Sequence, residues 1–381
     1  MKPLRHVSFL LEEFITPSPA QQLLDRFLIG YPRDGAFRKL EGLKVSGYAT
    51  VTNEASFDRR PEEFGLRHVT TAEEAVEAAD AVVIISRRPG AVANEAFLKI
   101  ALERAPQGAS CFVHGALCNS LAGARRFGEM AASRRIALLA GTPTAVTWRL
   151  PEVDLRAGTH LAEALIVVQV NPLAAQATPP APPATIGGAE LHALEGLLPV
   201  IERREGGESG VRTIQFIEGE AFWRAGRKGL WPWPLLAAAL SRSHTPQGDP
   251  VLDGRAQDLV GLGLVPKLAR NPRGWLLEHC DGLRSALLVL DGVVADFNFA
   301  VRARDGGVLS AQLFRAPPPA EHHFSRLAAV IEDFFRSGEP PWPLQRSQLI
   351  AGLLETFGRP ASRSGRMIET PELGIGYRAK G

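Results

Sequence analysis

His192 and Glu195 are the residues of this 381-residue chain whose types and spacing best suit moving a proton. Three positions apart, they share one face if the stretch is helical. An imidazole that titrates near neutrality can both take and give a proton, and a carboxylate one turn away orients and tunes it. His114 is a second imidazole able to complete an acid–base pair. Thr147 and Arg149 offer a hydroxyl and a guanidinium to a polar substrate, although Trp148 and Arg149 equally suit stacking where two domains meet. Trp231 lies beside Trp223 and Trp233, with Arg224 and Arg227 close by, and an indole wall of this kind can stack on a sugar or ring. The competing role for that cluster, a small satellite core, is the commoner one. His279-Cys280-Asp281 and His322-His323 carry metal-ligand types, but neighbours in a strand point to opposite faces, so neither run makes a site by itself, and no metal site is expected. The GxSxG pattern of a serine hydrolase is absent.

Those residues need a scaffold. Gly187-Gly188 allows a tight turn into a helix in which Leu191, Leu194, Leu198 and Ile201 form one buried stripe, with His192 at its edge. Glu190 falls in the first turn, where a carboxylate suits the positive helix end. In the first half, strands are expected over 7–11, 43–51, 80–86, 110–113 and 136–140, with helices over 20–29, 72–79, 93–103 and 122–132. Ser18 before Pro19 and Thr71 before Glu74 are N-cap signals. This alternation predicts a doubly wound parallel sheet of the Rossmann-like kind over residues 1–145. Residues 141–151 read as a hinge, and four prolines within 177–185 mark an extended linker. Strands over 211–218, 275–279, 284–290, 293–301 and 308–314, with helices near 324–336 and 344–357, predict an α+β domain over 146–381 with an open, mostly antiparallel sheet; the last helix and strand are free to return to the first domain.

Composition narrows the class. With 43 Lys and Arg against 41 Asp and Glu, the net charge is only +2, which argues against a nucleic-acid partner. Three cysteines without a CxxC pair suit a reducing cytoplasm. No apolar run reaches the length of a membrane span, and Glu12 and Glu13 break the only N-terminal candidate for a signal peptide.

The runs Pro61-Glu62-Glu63-Phe64-Gly65-Leu66, Thr70-Thr71-Ala72-Glu73-Glu74-Ala75, Asp80-Ala81-Val82-Val83-Ile84-Ile85 and Glu129-Met130-Ala131 resemble the Gfo/Idh/MocA family of nicotinamide-dependent oxidoreductases. The stretch 187–195 resembles the helix on which that family carries its catalytic histidine, and 362–366 its last helix-to-strand passage. Thr147-Trp148-Arg149-Leu150-Pro151-Glu152 and Glu218-Gly219-Glu220 are similar to an uncharacterised bacterial branch of it. The resemblance implies NAD or NADP as cofactor, a small polyhydroxylated or ring substrate in a cleft between domains, and a homodimer or homotetramer built through the C-terminal sheet.

Three cofactor devices of the family are missing. The turn after the first strand holds Glu12, Glu13, Pro17 and Pro19 and no glycine, where a pyrophosphate needs close backbone and free amides. Thr50, Thr52 and Asn53 stand where an acidic residue would hold a ribose. His114-Gly115-Ala116 stands where the family has Glu-Lys-Pro, so His114 occupies the place of its lysine region. The residues left to touch a dinucleotide are Thr16, Ser18, Asn53 and Ser86. The expectation is therefore an oxidoreductase of atypical or weak NAD(P) binding. Two alternatives stand beside it: a lyase, isomerase or hydrolase using His192 as acid and base without a redox cofactor, and a non-catalytic partner subunit.

Overall fold

The computed structural model describes residues 4–52, 57, 59–86, 92–169, 188–246 and 258–380. The chain divides into two compact units, Met1–Thr147 with Arg315–Ala351, and Trp148–Phe314 with Gly352–Gly381.

The first unit opens with strand β1 (His6–Phe14), after which Ser18 caps helix α1 (Pro19–Leu28): the Ser18 hydroxyl accepts from the Gln21 amide, and Pro19 takes the first helical position. A short hairpin, β2 (Tyr31–Arg33) and β3 (Ala36–Arg38), precedes β4 (Lys44–Thr52). Helix α2 (Arg59–Phe64), strand β5 (Arg67–His68) and helix α3 (Ala72–Val76) follow, the last capped by Thr71 as its sequence predicts. Then come β6 (Ala81–Ile85), α4 (Val92–Arg104), β7 (Ser110–His114), α5 (Leu121–Ser133) and β8 (Ala137–Gly141). Among the described residues the strands form a parallel sheet in the order β5-β4-β1-β6-β7-β8.

Period-two alternation sends successive residues of these strands into two different cores. Phe9, Val83, Ile85 and Phe112 meet Leu23, Leu24 and Phe27 of α1 and Leu327, Ile331 and Phe335 of a later helix, α10 (His323–Ser337). Val82, Ile84, Cys111 and Val113 meet α3, α4 and α5 through Ala75, Leu98 and Phe127. Both faces are filled, so β6 and β7 are buried along their whole length, as a doubly wound parallel sheet requires.

In the second unit β9 (Trp148–Leu150) and β10 (Leu161–Val168) lead to α6 (Gly188–Ile201), β11 (Val211–Glu218), α7 (Gly219–Arg227), α8 (Trp233–Leu240) and α9 (Val265–Leu268). Strands β12 (Arg270–His279), β13 (Arg284–Asp291), β14 (Phe297–Ala303) and β15 (Val308–Phe314) follow. Helix α11 (Leu344–Gly358) spans the third chain boundary, Ala351 to Gly352, and β16 (Met367–Glu369) ends the sheet. The order is β16-β11-β12-β13-β10-β14-β15-β9, antiparallel except for the β10–β13 pair. The mixed α/β class with a mostly antiparallel second sheet is thus the predicted one.

The central strands of this sheet carry helices on both faces. Leu165, Val167, Leu288 and Ala300 pack on Phe222 of α7 and on Leu235 and Leu236 of α8. Leu277 and Leu287, on the alternate face, line a small apolar void with Leu194, Leu197, Leu198 and Ile201 of α6. No helix among the described residues is long and apolar enough to cross a membrane.

Candidate functional site

Helix α6 exists to bury its leucines: Leu191, Leu194, Leu198 and Ile201 are each at most 2% exposed. His192 sits beside this stripe and is half-buried rather than enclosed. Its ring stacks on Phe297 of β14, with centroids 5.6 Å apart and planes 27° apart. Phe297 pairs with Leu313, and Leu313 with Arg149, so Phe297, Leu313 and Arg149 lie in one row on one face of the sheet. The sheet therefore places the His192 ring and the Arg149 side chain on the same face of the second unit, two strands apart, about 10 Å along the pairing direction. Arg149 donates to Asp154 at 2.9 Å, which holds its guanidinium in one orientation. Glu195, one turn from His192, is buried, a position from which it can orient the helix edge but not meet a substrate directly. Glu190 does more than complement the helix end: it is buried and pairs with Arg273 at 3.3 Å.

The other predicted residues are placed as follows. His114 ends β7 in the first unit, buried, its ring stacked 6.3 Å from that of Phe324. Burial pulls its pKa down to about 4, so the ring is neutral at pH 7 and cannot replace the charge of a lysine. Its Nε2 is buried without a hydrogen-bond partner among the described residues. Thr147 is buried at the end of the first unit's first segment. Trp231 is fully buried, its Nε1 donating to the Phe222 carbonyl at 3.1 Å and its ring against Phe222 and Trp233. That places Trp231 in a core, and a substrate wall has no use of a ring with no exposed surface. Ser86 is buried at the end of β6, Thr16 is exposed, and Asn53 lies outside the described residues.

The first turn can be tested as a dinucleotide cradle. A pyrophosphate at a helix start needs several free amides and no nearby negative charge. Pro19 has no amide hydrogen; that of Gln21 is taken by the Ser18 hydroxyl at 3.1 Å and that of Gln22 by the Ser18 carbonyl at 2.9 Å. Only the Ala20 amide remains in this turn, with the Glu12 and Glu13 carboxylates in the strand just before it. These residues do not fit the usual pyrophosphate cradle.

Two clusters escape the sequence reading. In one, His279 Nδ1 lies 2.8 Å from Glu208 Oε1 and His279 Nε2 lies 2.9 Å from Ser285 Oγ, while Arg204 binds Glu208 and Asp281. The Ser–His–Glu order matches that of a nucleophile triad. All three side chains are buried, however, and the void beside them is of about 10 Å³, room for about one water molecule and no substrate. In the other, Asp296 accepts from Ser243, the His244 amide, Asn298 and Gln312, tying the chain after α8 to β14 and β15. The contacts that close each cluster are long-range, Glu208 to His279 across 71 residues, Arg204 to Asp281 across 77 and Asp296 to Ser243 across 53, so no local spacing announces them. Among the described residues, no group of three or more His, Cys, Asp or Glu side chains is placed to hold a metal.

No protein-family model matches the sequence, and no curated protein sequence does. Solved structures share the fold. A myo-inositol 2-dehydrogenase from Lactobacillus plantarum superposes with a TM-score of 0.60 at 11% identity over 97% of this chain and 99% of its own. GenD2 from gentamicin A biosynthesis, solved in complex with NAD, gives 0.58 at 13% identity over 97% of each chain. A myo-inositol dehydrogenase from Lactobacillus casei, solved with NAD(H) and myo-inositol, gives 0.55 at 14% identity, again over 97% of each. The two-sheet plan of this chain is therefore the one these solved structures share, and identities this low speak for the fold alone.

Proposed function

We propose that this chain is an oxidoreductase-like enzyme that works on a small polyhydroxylated substrate and uses His192 to move a hydroxyl proton. The observation that carries the reading is the half-buried His192 ring, held on Phe297 at the edge of a packed helix and facing the same side of the sheet as Arg149. A packed helix fixes the ring position, and the residue is only partly covered. Arg149, fixed by Asp154, is suited to donate to substrate oxygens. His114, neutral at pH 7, is suited to a hydrogen-bonding role in the first unit rather than to carrying charge.

The resemblance to NAD-bound dehydrogenases favours a nicotinamide dinucleotide, and the shortage of amides at α1 makes its binding weak. Calorimetric titration of NADH and NADPH should therefore show weak binding of at least one of them that is still detectable at millimolar concentration. Absence of binding by both at millimolar concentration would remove the redox part of the proposal. His192→Asn should lower kcat by about 10²–10⁴ with the fold unchanged, the range expected when a general acid–base is lost. Full activity in that variant would remove the role of His192.

A second reading is favoured by the α1 turn itself: a lyase, isomerase or hydrolase on the same fold, with His192 as acid and base and no dinucleotide. It predicts turnover without added nucleotide, abolished by the same His192 variant. Assembly as a homodimer or homotetramer through the second sheet remains part of the proposal. Because helices cover both faces of the central strands, such contacts fall to the outer strands.

A further inference from the structure

An open pocket of about 390 Å³ lies at the β11–β16 end of the second unit. Arg224 lines it from α7, Lys228 from the cap of that helix, Arg363 and Ser364 from the turn before β16, and Glu218 from the end of β11. We propose that it binds a phosphorylated, hydroxyl-bearing small molecule, such as a sugar phosphate, with the phosphate on the three cations and a hydroxyl on Glu218. The proposal is independent of the redox reading, since the pocket lies within one unit and shares no residue with the His192 and Arg149 row.

Charge comes first. Among the described residues no ion pair is formed by Arg224, Lys228 or Arg363, so three cations face one open pocket without a carboxylate bound to any of them. Arg224 in the last turn of α7 and Lys228, which caps its C-terminus, are four residues apart, where like charges sit one turn apart and repel. The helix C-terminus accounts for part of their tolerance, but it does nothing for Arg363, which comes from 135 residues further along. The position of Arg363 is fixed by backbone: Gln215 Nε2 donates to the Gly365 carbonyl at 2.9 Å, and Gln215 pairs with Met367 in the β11–β16 ladder. Three cations and one carboxylate leave a net charge of +2 on the walls, which a phosphate monoester of about −1.5 to −2 at pH 7 neutralises.

Size and the remaining polar group extend the argument from phosphate to its carrier. The pocket is within the size range of small-molecule sites, about 300–1,000 Å³, and leaves space beyond a single phosphate. Glu218 repels an anion, so its place in the wall suits a ligand that also donates hydrogen bonds. Its side chain does not cap α7, which leaves the carboxylate available as an acceptor. Phe216 and Ala225 give the pocket an apolar floor for a carbon skeleton.

The test is calorimetric titration of the full chain, free of nucleotide, with glucose 6-phosphate, fructose 6-phosphate and glycerol 3-phosphate, against inorganic phosphate and glucose. At least one phosphate ester should bind more tightly than both inorganic phosphate and glucose. In the double variant Arg224→Ala, Arg363→Ala its affinity should fall by about tenfold or more, as expected when charge-assisted hydrogen bonds are removed. Arg227→Ala, on the same helix but outside the lining, should bind as the parent does, and melting temperatures show whether each variant is folded. The proposal is overturned if no ester binds at millimolar concentration, if inorganic phosphate binds as tightly as every ester, or if the double variant keeps full affinity. Loss of NADH binding or of turnover has no bearing on any of these readouts.

Discussion

His114 and Glu208 are buried titratable groups that make the stability of this chain fall as pH falls, over two different ranges. Burial lowers His114 to about 4 from an ordinary value of 6.5. Burial and the positive charges of Arg315 and Arg26 lower His323 to about 3. For both, the unfolded state binds the proton more readily, so stability declines as pH drops from about 6.5 toward those values. Burial by itself would raise Glu208, but His279 and Arg204 outweigh it and hold the carboxyl at about 2. A carboxyl depressed in the folded state contributes stability above its unfolded value of 4.5 and loses it as pH falls toward 2. Urea unfolding at a series of pH values should show His114→Gln flattening the upper range and Glu208→Gln the lower. At pH 7, Glu208→Gln should cost about 3–5 kcal/mol, because it leaves Arg204, 2% exposed, with its buried partner uncharged. Of these groups the sequence shows only the identity. His114 stands out because of what precedes and follows it, whereas Glu208 becomes significant only once β12 brings His279 beside it.

At the scale of elements, legibility followed local chemistry. Ser18, Thr71 and the leucine stripe of α6 each act through neighbours three or four residues away, and the caps and stripe appear where their spacing puts them. Strand β10 gave no such signal. Leu161-Ala162-Glu163-Ala164-Leu165-Ile166-Val167-Val168 is apolar almost throughout because it lies mid-sheet under helices on both faces, so the alternation that marks a half-buried strand is absent. The Trp223–Trp231–Trp233 cluster was legible as aromatic, with a small core as its commoner role, and packing settles that role for Trp231, which is fully buried. That packing yields a prediction. A Cβ added at Gly226 of α7 would come within 2.3 Å of the Trp231 ring, and Trp231 is enclosed with nowhere to retreat. Gly226→Ala should therefore destabilise by about 1–3 kcal/mol despite the better helix propensity of alanine, read as a lower urea midpoint. An unchanged midpoint would mean that the indole is not held as tightly as its burial indicates.

For the whole molecule, each unit fills both faces of its own sheet. The parallel sheet has α1 and α10 on one side and α3 to α5 on the other; the second sheet has α6 on one side and α7 and α8 on the other. The plan was legible from the alternation of strands and helices. The return of Arg315–Ala351 to the first unit was not, because α10 is amphipathic like any surface helix and nothing in its own sequence says which sheet it covers. Closed cores of this kind are able to melt as separate cooperative units, and chains of two domains depart from two-state unfolding. The probes for a test are already present. Five of the six tryptophans belong to the second unit, with Trp342 alone in the first. Indole fluorescence therefore follows the second unit, while far-ultraviolet circular dichroism follows both. Glu332 of α10 binds Tyr31, Arg38 and Arg336 within the first unit, as Glu208 binds its partners within the second. Glu332→Gln should move the dichroism transition and leave fluorescence nearly in place, whereas Glu208→Gln should shift fluorescence. A single coincident transition that both substitutions displace equally would show the units to unfold as one.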